Sequence, residues 1–203
     1  MPIFRDFSDN DTRILIWKYQ EGEVFDRDFL LEPEILHKIK GYHHKKQMEV
    51  LMIRKMLKML LPDYKIFYHE NGEPYLQPSD RYISISHSFP YAAIAVSKRK
   101  IGIDLEKINV KLQKLKSKFL YKTEYEWVEN PRELDLLTAV WTIKEALYKI
   151  HPAKFWSFRE HYEVSEFDLE ASSIECRVFN EISSDSFTAE IKKIEDFYLA
   201  VVQ

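Results

Sequence analysis

The order of periodicities along the chain constrains its fold most: a helical pattern is followed by short alternating runs, and this order occurs twice. Apolar residues recur at helical spacing over residues 43–61 and again over residues 131–150. The alternating runs that follow, each typical of a strand, are residues 82–86, 91–97, 174–179, 187–194 and 197–202. A long helix followed by antiparallel strands, twice, predicts an α+β fold of two similar halves, residues 1–100 and 101–203.

Composition predicts a cytoplasmic protein with a well-packed interior. The 203 residues suffice for one or two domains, the net charge is only −3, and 14% of the residues are aromatic. No apolar run approaches the roughly 18 residues of a membrane span, and the N-terminus lacks the basic-then-apolar pattern of a signal peptide. The one cysteine, Cys176, has no partner for an internal disulfide, which agrees with a reducing compartment. We expect a monomer that does not bind membranes.

Charge is unevenly distributed along the chain. Residues 38–58 and 98–118 are rich in Lys, Arg and His, whereas residues 160–196 are mostly acidic. Basic stretches of this kind can bind phosphates or an acidic protein surface, and the alternative for each is a solvated helix face. Nucleic-acid binding is disfavoured, because the net charge is acidic and aromatic residues do not interleave with the basic ones.

Two of the predicted elements carry carboxylates on a single face. The alternation of residues 101–106, Ile-Gly-Ile-Asp-Leu-Glu, predicts a strand with Asp104 and Glu106 on one face. In the second long helix, Glu145 and Lys149 stand one turn apart on a common face. If the two elements meet, three carboxylates converge beside an ammonium group. Such a site suits Mg²⁺, with Mn²⁺ as the alternative metal, and a phosphorylated substrate.

Each part of this arrangement also has a simpler interpretation. The strand carboxylates could be polar residues on a solvent face, and the helix pair could be a surface ion pair worth about 0.3–0.5 kcal/mol. Trp141, one turn before Glu145, argues against the surface pair, because a carboxylate beside a buried indole is poorly placed for a purely solvent role. A metal-dependent phosphodiesterase or nuclease would use the same three carboxylates.

Four motifs together resemble those of the 4′-phosphopantetheinyl transferases, and the surfactin-type branch more closely than the short, trimeric holo-acyl-carrier-protein synthases. The motifs are Asn71-Gly-Glu-Pro-Tyr-Leu, Ile83-Ser-Ile-Ser-His-Ser, Ile101-Gly-Ile-Asp-Leu-Glu and Trp141-Thr-Ile-Lys-Glu-Ala-Leu-Tyr-Lys. They follow the family's order. The resemblance implies a pseudo-dimer of two similar halves, each a long helix packed on a small antiparallel sheet, with the active site between them.

The resemblance also implies a reaction and the roles of four residues. The family transfers 4′-phosphopantetheine from coenzyme A to a serine of an acyl, peptidyl or aryl carrier protein and releases 3′,5′-ADP. Asp104, Glu106 and Glu145 fall on the family's metal ligands, and Lys149 on the lysine that steadies phosphate. Glu145 is also the candidate base for the serine, directly or through a metal-bound water. The implied pathways are fatty acid, polyketide or nonribosomal peptide biosynthesis.

Coenzyme A brings a 3′-phosphate and a pyrophosphate, so further cations are expected around it. Ser86 and His87 match the family's Ser-His pair that holds the nucleotide phosphate. Arg54 resembles an arginine on the family's first long helix, and Lys38 resembles a basic residue just before it. For these two cations, a solvated helix face is the alternative. The resemblance thus gives nucleotide binding to residues 1–100, and the metal site and catalytic helix to residues 101–203.

One departure from the family pattern opens an alternative function. Glu73 stands between Gly72 and Pro74, where the family usually has Lys or Arg. An acid near the adenine or 3′-phosphate predicts weaker coenzyme A binding. The alternative is therefore a non-catalytic relative that binds carrier protein or coenzyme A without transfer.

The segment between the carboxylate strand and the second long helix predicts a docking surface. Residues 107–118 are basic and carrier proteins are typically acidic, so we expect this segment to contact the carrier helix. The lysines chosen for charge reversal are Lys111, Lys114 and Lys118. A short helix is predicted next, because Thr123 and Glu126 have the spacing of a capping box.

Overall fold

The computed structural model describes residues 3–203, which form two compact units that divide between Lys100 and Ile101. Each unit packs a long helix against an antiparallel sheet, so the fold is α+β, as the order of periodicities predicts. Each unit also has its own apolar core. Within the described residues, no helix combines the length and apolar character that a membrane crossing requires.

The first unit combines an antiparallel sheet with a separate hairpin. Its strands are β1 (Ile3–Asp6), β2 (Thr12–Lys18), β3 (Lys65–Tyr68), β4 (Pro74–Gln77), β5 (Tyr82–Ser88) and β6 (Tyr91–Ser97). Its helices are α1 (Arg27–Leu30), α2 (Pro33–Ile39) and α3 (His44–Leu60). The sheet has the strand order β1-β2-β6-β5, and β3 pairs with β4 as the hairpin.

Helix α3 lies on β2 and β6 because its apolar residues repeat at helical spacing. Leu51, Met52 and Met56 of α3 are fully buried. Ile94 of β6 and Trp17 of β2 belong to the same core. Burial of this one face of α3 sets the position of the helix on the sheet.

Strand β5 is longer than the predicted 82–86. Its pairing with β6 continues to Ser88 and Tyr91, which leaves Phe89 and Pro90 as the turn. His87 therefore lies within the strand, where its side chain is exposed, rather than after it. The apolar alternation ends before the strand does, because backbone pairing with β6 decides where β5 stops.

The second unit contains a larger antiparallel sheet. Its strands are β7 (Gly102–Lys107), β8 (Tyr162–Val164), β9 (Ile174–Phe179), β10 (Ser184–Ile194) and β11 (Phe197–Val202). Its helices are α4 (Lys111–Phe119), α5 (Tyr125–Val128), α6 (Glu133–Ile150) and α7 (Phe158–His161). The strand order is β7-β11-β10-β9-β8, so the first strand of the unit pairs with the last. This pairing places β7 beside β11, and α6 packs across both strands.

The capping interaction expected of Thr123 and Glu126 is replaced by another. A 3-10 turn, Lys122–Glu124, precedes α5, and the carboxylate of Glu124 accepts the Tyr121 N–H at 2.8 Å. The Thr123 hydroxyl instead donates to Glu163 at 2.6 Å. The predicted capping interaction was therefore wrong. An ion pair with a lysine of α6 holds Glu124 in the core, and Glu124 instead bonds to the backbone of the turn.

Candidate functional site

The polar face of β7 lies against α6. Gly102 allows the close approach, since a Cβ at this position would stand 2.2 Å from the Ala146 carbonyl oxygen. Successive residues of a strand alternate between its faces, so Asp104 and Glu106 share the face of Gly102. Strand β7 and helix α6 therefore meet along the carboxylate face of the strand.

Two side chains of α6 contact the strand carboxylates. Lys149 Nζ donates to Asp104 Oδ1 at 2.7 Å and to the Ile103 carbonyl oxygen at 2.8 Å. Trp141 Nε1 donates to Glu106 Oε1 at 3.3 Å. Asp104 is only 5% exposed, so its ion pair with Lys149 is weakly screened by solvent.

Glu145 lies between these two contacts, one turn after Trp141 and one turn before Lys149. Burial raises the pKa of Glu145 to about 7, with a further contribution from the charge of Asp104 and opposition from Lys149. We call Asp104, Glu106 and Glu145 the acidic site. Burial and the charge of Asp104 also raise the pKa of Glu106 to about 7, against the hydrogen bond from Trp141. The three carboxylates therefore share one electrostatic environment.

The donor chemistry of the acidic site is that of a hard-cation site. Its side chains offer only carboxylate oxygens, which Mg²⁺ and Mn²⁺ prefer. Within residues 3–203, no group of three or more His, Cys, Asp or Glu side chains stands ready to hold a metal ion. In the acidic site, the Lys149 ammonium already contacts Asp104. A metal ion would have to share this carboxylate with Lys149 or displace the lysine.

Aromatic packing holds Trp141 in position. Its ring makes a T-shaped contact with Phe119 at 5.3 Å between centroids and a tilted contact with Phe158 at 5.5 Å. Such contacts add to the burial of apolar area. The indole N–H is thereby aimed at Glu106, so Trp141 both packs inward and contacts the acidic site.

In the first unit, His87 of β5 contacts two residues of α3. Lys46 Nζ donates to His87 Nε2 at 2.6 Å. The Glu49 carboxylate lies 3.3 Å from His87 Nδ1 and 3.3 Å from Lys46 Nζ. We call these three residues the His87 cluster. Sequence reasoning missed Lys46 and Glu49, because only the packing of α3 on the sheet brings them to β5, and their one signal was the basic stretch at residues 38–58.

The other predicted nucleotide-binding residues lie in different surroundings. Ser86 is buried beside His87, with 6% of its surface exposed. Arg54 is also buried, and its Nη2 donates to the Ile66 carbonyl oxygen of β3 at 3.3 Å. Lys38 is exposed on α2. Arg54 is therefore not the solvated helix charge that was its alternative interpretation.

The turn between β3 and β4 carries the departure from the family pattern. Glu73 is exposed there. Its backbone N–H donates to Asn71 Oδ1 at 3.0 Å, and its carbonyl oxygen accepts the His69 N–H at 2.9 Å. These two bonds hold the backbone of the turn that carries Glu73.

The lysines of α4 divide into two groups. Lys116 bonds to Glu129 at 2.7 Å and to Glu133 at 3.0 Å, so its charge is used within the unit. The predicted docking lysines are exposed. They are Lys111, Lys114 and Lys118. We call these three the lysine face of α4; Val110 and Leu115 expose apolar surface on the same segment.

Comparison with known proteins places this chain in a family. Residues 100–202, about half of the chain, match the family model described as the 4′-phosphopantetheinyl transferase superfamily. A relative, 4′-phosphopantetheinyl transferase gsp of Aneurinibacillus migulanus, is 32% identical over 106 residues. The matched region spans 49% of this chain and 44% of that protein, less than half of its length.

The family match covers the whole second unit from β7 to β11, including every residue of the acidic site. The sequence motifs, the contact of β7 with α6 and the family match therefore agree. This chain belongs to the 4′-phosphopantetheinyl transferase superfamily.

Proposed function

We propose that this chain transfers 4′-phosphopantetheine from coenzyme A to a serine hydroxyl of an acyl, peptidyl or aryl carrier protein and releases 3′,5′-ADP. This is the reaction of a holo-[acyl-carrier-protein] synthase. The observation that carries the proposal is the contact of β7 with α6, which brings Trp141 and Lys149 onto the acidic site. Membership of the superfamily supports the same reaction.

We assign Mg²⁺, or Mn²⁺ in its place, to the acidic site. The donor set fits because it consists of carboxylates alone. Burial, together with the charge of Asp104, raises the pKa of Glu106 and Glu145. Asp104, Glu106 and Glu145 would hold the ion. When bound, the metal supplies positive charge that offsets the charge of the coenzyme pyrophosphate.

Two residues of α6 act on the reacting groups in this proposal. Glu145 is the residue assigned to accept the proton of the acceptor serine, and in the metal-free chain burial raises its pKa to about 7. The Lys149 ammonium neutralises phosphate charge, which is most of what a phosphoryl-type transfer needs from a protein. Trp141 orients Glu106 through its indole N–H.

We assign the nucleotide of coenzyme A to the first unit. His87 is exposed, and the Lys46 ammonium beside it adds a cation for phosphate, which supports a phosphate contact at the His87 cluster. Ser86 is the neighbouring residue, and Lys38 is an exposed cation on α2. Arg54 would contribute through β3, whose Ile66 carbonyl it holds.

We also propose that the two units are the related halves of a pseudo-dimer, with nucleotide binding in residues 1–100 and the metal site and α6 in residues 101–203. The similarity of their long helices supports this relation. Helix α3 has 17 residues and α6 has 18, and each packs on an antiparallel sheet.

The lysine face of α4 is the proposed docking surface for an acidic carrier helix. Reversing its three charges to Glu is expected to raise KM for carrier about tenfold, through loss of electrostatic attraction, without changing KM for coenzyme A. The control variant reverses three exposed basic residues in the turn after β6, namely Lys98, Arg99 and Lys100. Equal KM values for carrier in the two variants would rule out docking at α4.

Intact mass spectrometry of an apo carrier protein tests the reaction itself. The carrier is incubated with this protein, coenzyme A and Mg²⁺, and parallel reactions contain chelator or the Glu145→Gln variant. A gain of one phosphopantetheine that both controls abolish supports the transfer. No gain with fatty acid, polyketide and peptide carriers would favour the non-catalytic relative, with Glu73 as the first residue to revert to Lys.

Hydrolysis distinguishes the remaining alternative, a metal-dependent phosphodiesterase. That activity would cleave a phosphodiester in the absence of any carrier. The transferase proposal expects no such cleavage, and release of 3′,5′-ADP only when an apo carrier is present.

A further inference from the structure

Lys144 and Glu124 form an ion pair that is wholly enclosed in the second unit. Both side chains have 0% of their surface exposed, and Lys144 Nζ lies 2.7 Å from Glu124 Oε2. Removing two charges from water is costly, and a buried ion pair is therefore weak evidence of a contribution to stability. What the pair holds in place is more informative than its own energy.

The pair connects separate segments of the unit through hydrogen bonds. Lys144 Nζ also donates to the carbonyl oxygen of Phe119, the last residue of α4, at 2.7 Å. Glu124 accepts two backbone N–H groups, that of Tyr121 at 2.8 Å and that of Val164 in β8 at 2.8 Å. One pair thus joins the end of α4, the 3-10 turn and β8 to α6.

Lys144 is the neighbour of Glu145 on α6. Neighbouring side chains on a helix point about 100° apart, so Lys144 and Glu145 project in different directions from the same turn of α6. Glu145 belongs to the acidic site against β7, while Lys144 reaches the end of α4. The hydrogen bonds of Lys144 therefore hold the end of α4 against the turn of α6 that carries Glu145. Two further contacts tie α4 to α6, those of Lys116 with Glu133 and of Phe119 with Trp141.

We infer that Lys144 and Glu124 are positioning residues, which set the carrier-docking helix α4 relative to Glu145. The inference rests on the proposed function, since it takes α4 as the carrier surface. A carrier bound at α4 must present its serine within hydrogen-bond reach of the base. A displacement of about 1 Å can lower the rate of a transfer by about 100-fold, so fixing α4 matters more than the energy of the pair.

The test compares a neutral replacement of the pair with a control in the first turn of α6. The double variant Lys144→Met/Glu124→Gln removes both charges together, so no unpaired charge is left buried. The control, Asp135→Asn, weakens contacts of α6 with Lys193 and Tyr198, which lie on β10 and β11. Urea unfolding of both variants shows whether their losses of stability are comparable.

Hydrogen exchange and transfer kinetics are measured on the full chain. In the double variant, the backbone amides of α4 are expected to exchange at least about tenfold faster than in the control, because the end of α4 is released. At saturating coenzyme A, kcat/KM for carrier is expected to fall about tenfold or more, mainly through kcat, because the serine is displaced from the base. KM for coenzyme A is expected to change less than about twofold. The control is expected to change neither the exchange of α4 nor kcat/KM for carrier.

Each other outcome contradicts the inference in a distinct way. Exchange of α4 at the control rate would show that the pair does not hold the helix. Faster exchange with unchanged kcat/KM for carrier, or with KM for coenzyme A raised as much as kcat/KM for carrier falls, would show a structural role alone. If the wild-type chain modifies no carrier, the proposed function fails, and the positioning role falls with it even where exchange shows that the pair holds α4.

Discussion

Two carboxylates of the acidic site make the free energy of unfolding depend on pH. Glu106 and Glu145 have a pKa of about 7 in the folded chain, raised from an ordinary value of 4.5. Between these two values, the folded state retains protons that the unfolded state has lost. Stability of the metal-free protein is therefore expected to fall as pH rises from about 4.5 to about 7.

The variant Glu145→Gln should be more stable than the wild type at pH 8, by about 2 kcal/mol, because a buried carboxylate no longer has to ionise. At pH 4.5 the difference should vanish. Urea unfolding in chelator at both pH values measures this. A loss of stability at pH 8 would contradict the assigned environment of Glu145. A gain would show that any loss of transfer in this variant does not come from misfolding.

Lys149 Nζ lies 2.7 Å from Asp104 Oδ1, so it would compete with the proposed metal ion for this carboxylate. Replacing Lys149 by Met should raise the affinity for Mn²⁺ in the absence of coenzyme A about fivefold, because a competing cation beside the carboxylate is removed. Electron paramagnetic resonance of free Mn²⁺ gives the affinity directly. Lys116→Met is the control, and equal affinities of the two variants would show that Lys149 does not compete.

At the scale of elements, the contact of β7 with α6 depends on Gly102. Its replacement by Ala puts a methyl group 2.2 Å from the Ala146 carbonyl, a backbone atom that can move only with the helix. We expect Gly102→Ala to lower the free energy of unfolding by about 1–3 kcal/mol and to weaken metal binding, since α6 must shift.

The matched control for this prediction is Gly41→Ala. A Cβ at Gly41 would stand 3.8 Å from the Lys38 carbonyl oxygen, an ordinary contact. Thermal unfolding of the two variants compares them, and Gly41→Ala should change the melting temperature little. Similar melting temperatures for both variants would contradict the close packing of α6 on β7.

The long elements and the short helix α5 could be predicted from the sequence, but several short strands could not. The pattern of α6 extends over 18 residues, and the alternation of β7 covers its whole length, so each is visible locally. Strands β1, β4 and β8 have four residues or fewer, and pairing with a neighbour stabilises them more than their own pattern does. The capping residue Glu124 was missed because its partner Lys144 lies 20 positions away.

At the scale of the whole molecule, the proposed roles divide between the units. His87→Ala is expected to raise KM for coenzyme A about tenfold, because a phosphate contact of the first unit is lost. The affinity of the His87→Ala variant for Mn²⁺ should equal that of the wild type, since the acidic site lies entirely in the second unit. Steady-state kinetics and metal titration measure the two effects, and a parallel loss of metal affinity would contradict the division.

The sequence alone determined the fold class, the long elements and the family motifs, because each is encoded in residues close together along the chain. Tertiary structure decided which side chains meet. The contact of Lys46 with His87 joins residues 41 positions apart, and that of Lys149 with Asp104 joins residues 45 apart. The raised pKa of Glu145 likewise depends on burial beside β7. Desolvation and charge proximity are properties of packed elements, and no local pattern in a chain specifies them.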